Sequence, residues 1–317
     1  MNLNAFADGT APLDMTGSAE FQSLLQSAVD LGIRHAPRVR YVSRNIVARH
    51  LRFHLLEWGE PGAPPILLLH GGHQSAHSWD LVSLHLADRF HVIAVDQRGH
   101  GDSEWARDVS YSSEEMARDA QAVIAALGLT KPLVMGHSMG GRNSLLLALN
   151  APEALRALVV VDIGPEISDI GKRVISSFVA ANEEFEDLEQ FTANVRRYDP
   201  YRSAEHIART VKYNLFQRAD GKYVSKNDGA PRRLGLLKSA NAAERLTLDG
   251  VRDLRLPVLL VRGADSNVLS AEAAQRFVDA LPAGRLVQVP DCGHNVHGQN
   301  TPGFIAAVTP FLDEALR

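Results

Sequence analysis

Residues 136–141 read Gly-His-Ser-Met-Gly-Gly and contain the pattern in this sequence best suited to chemistry. The pattern follows a short apolar run at 132–135 and precedes a helical pattern at 141–150, which predicts a strand, a sharp turn and a helix. A residue at such a turn is strained, and its neighbours must lack a Cβ atom for the chain to close. The sequence therefore predicts that Ser138 is a nucleophile that projects above a sheet. The structural alternative is a tight glycine turn with a capping serine.

A serine hydroxyl needs a general base, and the order nucleophile, acid, histidine is typical of this strand–turn–helix arrangement. Two histidines near the end of the chain compete for the role of base. His294 directly follows Gly293 after a predicted strand at 285–289, and His297 lies three residues later. We favour His294 because it comes straight after the glycine at the strand exit.

Two aspartates could serve as the acid that orients the base. Asp265 follows a predicted strand whose last residues, 261–263, read Val-Arg-Gly, and Asp162 ends the predicted strand at 157–161. Catalytic groups of open α/β sheets gather at the carboxyl ends of the strands, so both aspartates are well placed. We favour Asp265 because it has no other evident task, and Asp162 is the alternative.

Backbone donors for an oxyanion are predicted on two loops. Residues 70–73, His-Gly-Gly-His, follow the apolar run at 66–69, and Gly72 is the expected donor there, with His73 as an alternative. The second donor is the N–H of Met139, which lies at the predicted start of a helix. Three further side chains are predicted to contact the substrate, those of His73, His137 and Arg142.

Short apolar strands alternate with helices through most of the chain, which predicts an α/β fold with a mostly parallel sheet covered on both faces. We assign residues 39–164 and 251–317 to this core. Residues 165–250 interrupt the alternation and are predicted to form a helical cap. Residues 1–38 are predicted to be an extension with one helix, capped by Ser18, that packs on the core or acts as a lid.

Five motifs, in this order along the chain, resemble those of the α/β-hydrolase superfamily: His70–Gly72, Asp96–Ser103, Gly136–Gly141, Arg262–Asp265 and Gly293-His294. The resemblance begins at about residue 45 and implies an α/β-hydrolase fold with a helical cap insertion. Residues 138–142 and 161–165 are similar to those of small carboxylesterases and thioesterases of the superfamily. A serine rather than an aspartate nucleophile argues against its haloalkane dehalogenase and epoxide hydrolase branches.

The resemblance implies a serine hydrolase that cleaves a carboxylic ester, lactone or thioester of a small, partly apolar substrate through an acyl-enzyme. The alternative is a hydrolase of carbon–carbon bonds in vinylogous diketones, or an enol-lactonase, of aromatic degradation. Arg142 would serve the anion pocket of such an enzyme. A non-catalytic receptor or scaffold with the same fold is the third hypothesis.

Composition restricts the partners and the compartment. The 317 residues carry a net charge of −4, which offers no basic field for nucleic acid. The single cysteine, Cys292, excludes an internal disulfide and a thiolate metal cage. No signal peptide or membrane-length apolar run is visible, so we expect a cytoplasmic enzyme with a small-molecule substrate. No cofactor or metal is expected, since His70, His73 and His77 lack an accompanying carboxylate pattern, and a homodimer is left open.

Overall fold

A computed structural model describes residues 11–181, 184–234 and 246–317 of the chain. Its strands are β1 Leu13–Asp14, β2 Tyr41–Ala48, β3 Leu51–Trp58, β4 Pro65–Leu69, β5 His91–Val95, β6 Leu133–His137, β7 Ala157–Val161, β8 Glu184–Phe185, β9 Leu215–Gln217, β10 Tyr223–Ser225, β11 Val258–Gly263 and β12 Gly284–Val289. Its helices are α1 Ala19–Asp30, α2 Asp80–Leu86, α3 Ser113–Ala126, α4 Met139–Asn150, α5 Asp169–Ala181, α6 Leu188–Tyr198, α7 Ala204–Val211, α8 Ala230–Arg233, α9 Ala271–Ala280, α10 Val296–Gln299 and α11 Thr301–Ala315.

Within the described ranges, nine strands form one sheet in the order β1-β2-β3-β5-β4-β6-β7-β11-β12. The pairs from β5 through β12 are parallel, and the three pairs at the β1 end are antiparallel. Helices flank this sheet, so the predicted mostly parallel α/β architecture is confirmed. The carboxyl ends of β4, β6, β7, β11 and β12 consequently lie along one edge.

The side chains of strand β4 contribute to apolar clusters on both faces of the sheet. Ile66 and Leu68 belong to one apolar cluster, with residues of α1, α2 and α11. Leu67 and Leu69 belong to another, with residues of α3, α4 and α9. Because successive side chains of a strand point to opposite faces, a strand that is apolar throughout must be covered on both sides.

The N-terminal helix α1 packs on the core. The side chain of Ser18 accepts a hydrogen bond from the Phe21 N–H and caps the helix, as predicted. The ring of Phe21 lies 5.7 Å from that of Tyr41, which in turn stacks on Trp58 at 3.5 Å. These contacts make α1 a packed helix rather than a lid.

The segment 165–250 contains α5–α8 and a separate antiparallel sheet in the order β8-β10-β9. Its apolar cluster consists of Phe185, Phe191, Val195, Ile207 and Leu215. Helices α5–α8 contain far more of the described residues of this segment than its three strands do, and those strands were not predicted because two or three residues are too short to show a period. Residues 1–10, 182–183 and 235–245 lie outside the described part, and the predicted boundaries of core and cap stay a prediction.

None of the helices in the described ranges has both the length and the apolarity that a membrane span requires.

Candidate active site

Ser138 occupies the turn between β6 and α4 with a left-handed backbone conformation, φ 51° and ψ −113°. The glycines around it allow the turn to close. A Cβ atom on Gly136 would lie 2.3 Å from the carbonyl oxygen of Gly140, and one on Gly140 would lie 2.3 Å from that of Leu69. Such distances are far inside van der Waals contact, so the predicted strained turn is present at this serine.

Three side chains from distant parts of the sequence form one hydrogen-bonded row. The Nε2 atom of His294 lies 2.9 Å from the hydroxyl oxygen of Ser138. Its Nδ1 atom lies 2.8 Å from a carboxylate oxygen of Asp162. His294 follows β12 and Asp162 follows β7, so the carboxyl edge of the sheet brings them together. The row can take the serine proton onto the imidazole and stabilise the resulting positive charge.

The acid in this row is Asp162, and the prediction that Asp265 orients His294 is wrong. The carboxylate of Asp265 accepts a hydrogen bond from the hydroxyl of Tyr201 at 3.1 Å instead. Asp162 is fully buried, with φ 52°, and accepts the Gly263 N–H at 3.1 Å. Its second oxygen also accepts the hydroxyl of Ser266. These bonds fix the Asp162 carboxylate against the imidazole, whereas Asp265 is engaged elsewhere.

His297, the alternative base, is buried and stacks on the indole of Trp79 with 3.9 Å between the ring centroids. Burial lowers the pKa of His297 to about 3. Its ring nitrogens make no hydrogen bond to any described residue, and that includes Ser138. The preferred histidine, His294, is thus the one that contacts the serine.

His137 connects the loops on either side of the nucleophile. Its Nε2 lies 2.9 Å from the carbonyl oxygen of His294, and its Nδ1 lies 3.2 Å from the side-chain oxygen of Gln74. That same oxygen accepts the Gly71 N–H at 2.9 Å. Burial, with the charges of neighbouring histidines, lowers the pKa of His137 well below its usual value. Sequence reasoning missed Gln74, for which the only signal is its place three residues after Gly71.

Gly72 and Met139 line the same cavity as Ser138, and no acceptor in the described chain is recorded for either backbone N–H. Their loops are tied together, because the Gly140 N–H donates to the carbonyl of His70 at 3.2 Å. A Cβ atom on Gly71 would lie 2.6 Å from the His137 ring, so the loop that contains Gly71 packs directly on the turn between β6 and α4. That these two N–H groups bind an oxyanion stays a prediction.

A cavity of about 980 Å³ opens above Ser138 and His294. The three side chains predicted to contact the substrate, His73, His137 and Arg142, all line it. The wall that the cap supplies includes Phe191, Val195, Tyr198, Tyr201, Arg202 and Arg209. Apolar and charged side chains therefore both face the space where a substrate would lie.

The described residues contain one group with metal-binding geometry, His54, Asp96 and Asp102, and it lies outside the cavity. One Asp96 oxygen already lies 2.8 Å from His54 Nδ1 and accepts the Asp102 N–H at 2.9 Å. Hydrogen bonds thus account for this cluster. His70, His73 and His77 do not form such a group within the described ranges.

A family model described as the alpha/beta hydrolase fold matches residues 64–301. The chain belongs to this family. It is 29% identical over 293 residues to the 2-(acetamidomethylene)succinate hydrolase of Mesorhizobium japonicum, across 91% of this chain and 100% of that protein. It is 28% identical over 308 residues to an esterase of Mycobacterium tuberculosis, across 95% of this chain and 98% of that protein.

Solved structures agree with this assignment. The crystal structure of an E-2-(acetamidomethylene)succinate hydrolase superimposes with a TM-score of 0.77 at 28% identity, over 86% of this chain and 100% of that one. A structure of the Mycobacterium tuberculosis esterase gives 0.77 at 27% identity, over 94% and 100%. The predicted α/β-hydrolase fold is confirmed, and the chain is a hydrolase.

Proposed function

We propose that this hydrolase cleaves a carboxylic ester, or the related lactone or thioester, of a small molecule through an acyl-enzyme on Ser138. The observation that carries the proposal is the hydrogen-bonded row Ser138–His294–Asp162, which lies at a cavity that Gly72 and Met139 also line. One of the relatives is an esterase, which supports an ester as the substrate of this enzyme.

Acylation follows from the distances in the row. The hydroxyl oxygen of Ser138 attacks the carbonyl carbon while Nε2 of His294, 2.9 Å away, takes the proton. Asp162 accepts the N–H of the other ring nitrogen, which fixes the tautomer and stabilises the imidazolium. His294 then gives the proton to the leaving alcohol, and the acyl group stays on Ser138.

The oxyanion and the second half-reaction use the same groups. The N–H groups of Gly72 and Met139 would bind the negative oxygen, each worth about 3 kcal/mol in the transition state. Water then attacks the acyl carbonyl while His294 acts again as the base. The regenerated serine releases a carboxylic acid.

We further propose that the enzyme works in the cytoplasm. Its one cysteine, Cys292, is buried and has no disulfide partner, in keeping with a reducing compartment.

The test is hydrolysis of p-nitrophenyl butyrate by wild type and variants. Ser138→Ala should lower kcat by about four orders of magnitude or more. His294→Gln should cost about a thousandfold, whereas the matched variant His297→Gln should stay within about tenfold, because its ring makes no contact with Ser138. Full activity of Ser138→Ala, or a reversed order of the two histidines, would contradict the proposal.

A substrate panel decides the bond type. Thioesters, lactones and a vinylogous diketone are offered to the wild-type enzyme beside esters of matched size. If the diketone is cleaved in preference to every ester, and this depends on Ser138, the enzyme is a carbon–carbon bond hydrolase instead.

A further inference from the structure

Arg209 differs from the other buried arginines of the described chain. Arg98 donates to the carboxylate of Asp119, and Arg262 donates to a set of backbone carbonyls. The Nε atom of Arg209, on α7, is buried and has no hydrogen-bond partner among the described residues, and the residue as a whole is only 8% exposed. A buried guanidinium N–H with no acceptor is costly, so this side chain needs an explanation.

The nearest carboxylate does not fill this need. An oxygen of Asp80 lies 3.8 Å from Nη1 of Arg209, which is too long for a hydrogen bond. The same oxygen lies 3.0 Å from Nδ1 of His77. Asp80 therefore offsets part of the charge of Arg209 without supplying an acceptor.

Arg209 lines the same cavity as Ser138. Buried polar atoms of Ser78, Asn214 and His297, which also line it, have no hydrogen-bond partner in the described chain either. The other cap arginine at this wall, Arg202, is already paired, since its Nε donates to Asp199 at 2.6 Å. Arg209 is thus a buried cation at the cavity wall, with unpartnered polar atoms on neighbouring lining residues and no close carboxylate acceptor for its own Nε.

Histidines nearby do not compete for an anion. Burial lowers the pKa of His206 and of His297 to about 3, so both rings are neutral at neutral pH. Arg209 is the group in this region best able to bind an anion, and a guanidinium matches a carboxylate with two parallel hydrogen bonds.

We propose that Arg209 binds a carboxylate of the substrate, so that the preferred substrates are esters that carry a carboxylate remote from the scissile bond. The proposal rests on the ester hydrolysis proposed above and names the class of ester. The carboxylate would hold the substrate at the cap while its ester carbonyl lies at Ser138.

The test compares substrates that differ only in this carboxylate. Mono-p-nitrophenyl esters of succinate, glutarate and adipate are paired with the p-nitrophenyl esters of the monoacids of equal chain length, and 4-acetoxybutanoate is paired with butyl acetate. In at least one pair, wild type should show a kcat/KM at least about tenfold higher for the charged ester. The ratio within each enzyme is the readout, so a general loss of activity cancels.

Arg209→Gln should bring this ratio close to one, mainly by raising KM for the charged ester, and Arg209→Lys should retain part of the preference. The matched control is Arg218→Gln, at a cap arginine that is 44% exposed and pairs with Glu184, and it should keep the wild-type ratio. As a measurement without variants, glutarate should protect Ser138 from a fluorophosphonate probe at lower concentration than the neutral glutaramide does.

Ratios near one in wild type for every pair would overturn the inference and leave Asp80 as the partner of Arg209. So would a preference that survives in Arg209→Gln, or equal protection by glutarate and glutaramide. If no ester is cleaved and the probe does not label Ser138, the proposed function itself fails, which is a separate result.

Discussion

The carboxylate of Asp162 is held by three neighbours in the candidate site. The Gly263 N–H, the Ser266 hydroxyl and the His294 ring all contact it, and the residue has no exposed surface. A side chain held in this way has one orientation, and that orientation decides the tautomer of His294. The positioning of the base therefore depends on a residue that never touches the nucleophile.

Replacing each of the two candidate aspartates with asparagine tests whether Asp162 is the acid. Asp162→Asn should lower kcat for p-nitrophenyl butyrate by about three to four orders of magnitude, because an amide favours the wrong tautomer of His294. Asp265→Asn should lower it less than about tenfold, since that carboxylate contacts Tyr201 rather than the imidazole. A larger loss in Asp265→Asn would show that Asp265 is the acid after all.

Of the three residues in the hydrogen-bonded row, two can be predicted from the sequence. Ser138 lies between Gly136 and Gly140, and His294 directly follows Gly293. Both are local patterns at a strand exit. The acid was missed because Asp162 and Asp265 leave adjacent parallel strands, with Val161 paired to Val261. Only the hydrogen bonds around each carboxylate distinguish them, and these depend on contacts between distant parts of the chain.

At the scale of elements, the approach of β6 to α4 sets the position of the nucleophile. The Cβ atom that Gly136 lacks would lie 2.3 Å from a backbone oxygen, so the strand and the helix can meet only at a glycine. This closeness keeps the serine at the amino end of α4, directly before Met139.

A pair of glycine variants tests whether β6 and α4 are in close contact. Gly136→Ala should lower the free energy of unfolding in urea by about 1–3 kcal/mol or more, because the new methyl group meets backbone that cannot move away. The control is Gly62→Ala, at an exposed glycine with nothing within 4 Å of the added atom, which should be neutral or slightly stabilising. Equal effects at both positions would show that β6 and α4 are not in close contact.

The elements of the core were predictable, and part of the cap was not. Buried parallel strands such as β4 and β7 are apolar throughout, and this signal survives without any knowledge of their neighbours. The strands β8–β10 have two or three residues each, so no periodicity can appear. Their pairing depends on the apolar cluster around Phe185, which forms only when the cap folds.

At the scale of the whole molecule, buried histidines couple stability to pH. Burial lowers the pKa of His100, His206 and His297 from 6.5 to about 3. Between these two values the unfolded chain binds protons that the folded protein excludes. Stability is therefore greatest above pH 6.5 and falls as the pH drops toward 3, by about 1.4 kcal/mol per pH unit for each such histidine.

Replacing one of these histidines should make the free energy of unfolding depend less on pH. His297→Phe keeps the stacking with Trp79 and removes a titrating group whose ring makes no hydrogen bond in the described chain. Urea unfolding from pH 4 to 6.5 should show a slope smaller by about 1.4 kcal/mol per pH unit. The control Trp79→Phe disturbs the same stack, and should lower stability equally at every pH. If His297→Phe left the slope unchanged, the buried neutral imidazole would be ruled out.

Trapping the acyl-enzyme tests directly whether Ser138 is the nucleophile. Wild-type enzyme is mixed with p-nitrophenyl butyrate, quenched in acid within the first turnover and mapped by peptide mass spectrometry. If Ser138 is the nucleophile, one butyryl group is found on the peptide that contains Ser138, formed together with a burst of p-nitrophenolate equal to the enzyme concentration. An adduct on a different residue, or turnover of the ester with no adduct and no burst in enzyme that is active, would contradict this assignment of the nucleophile.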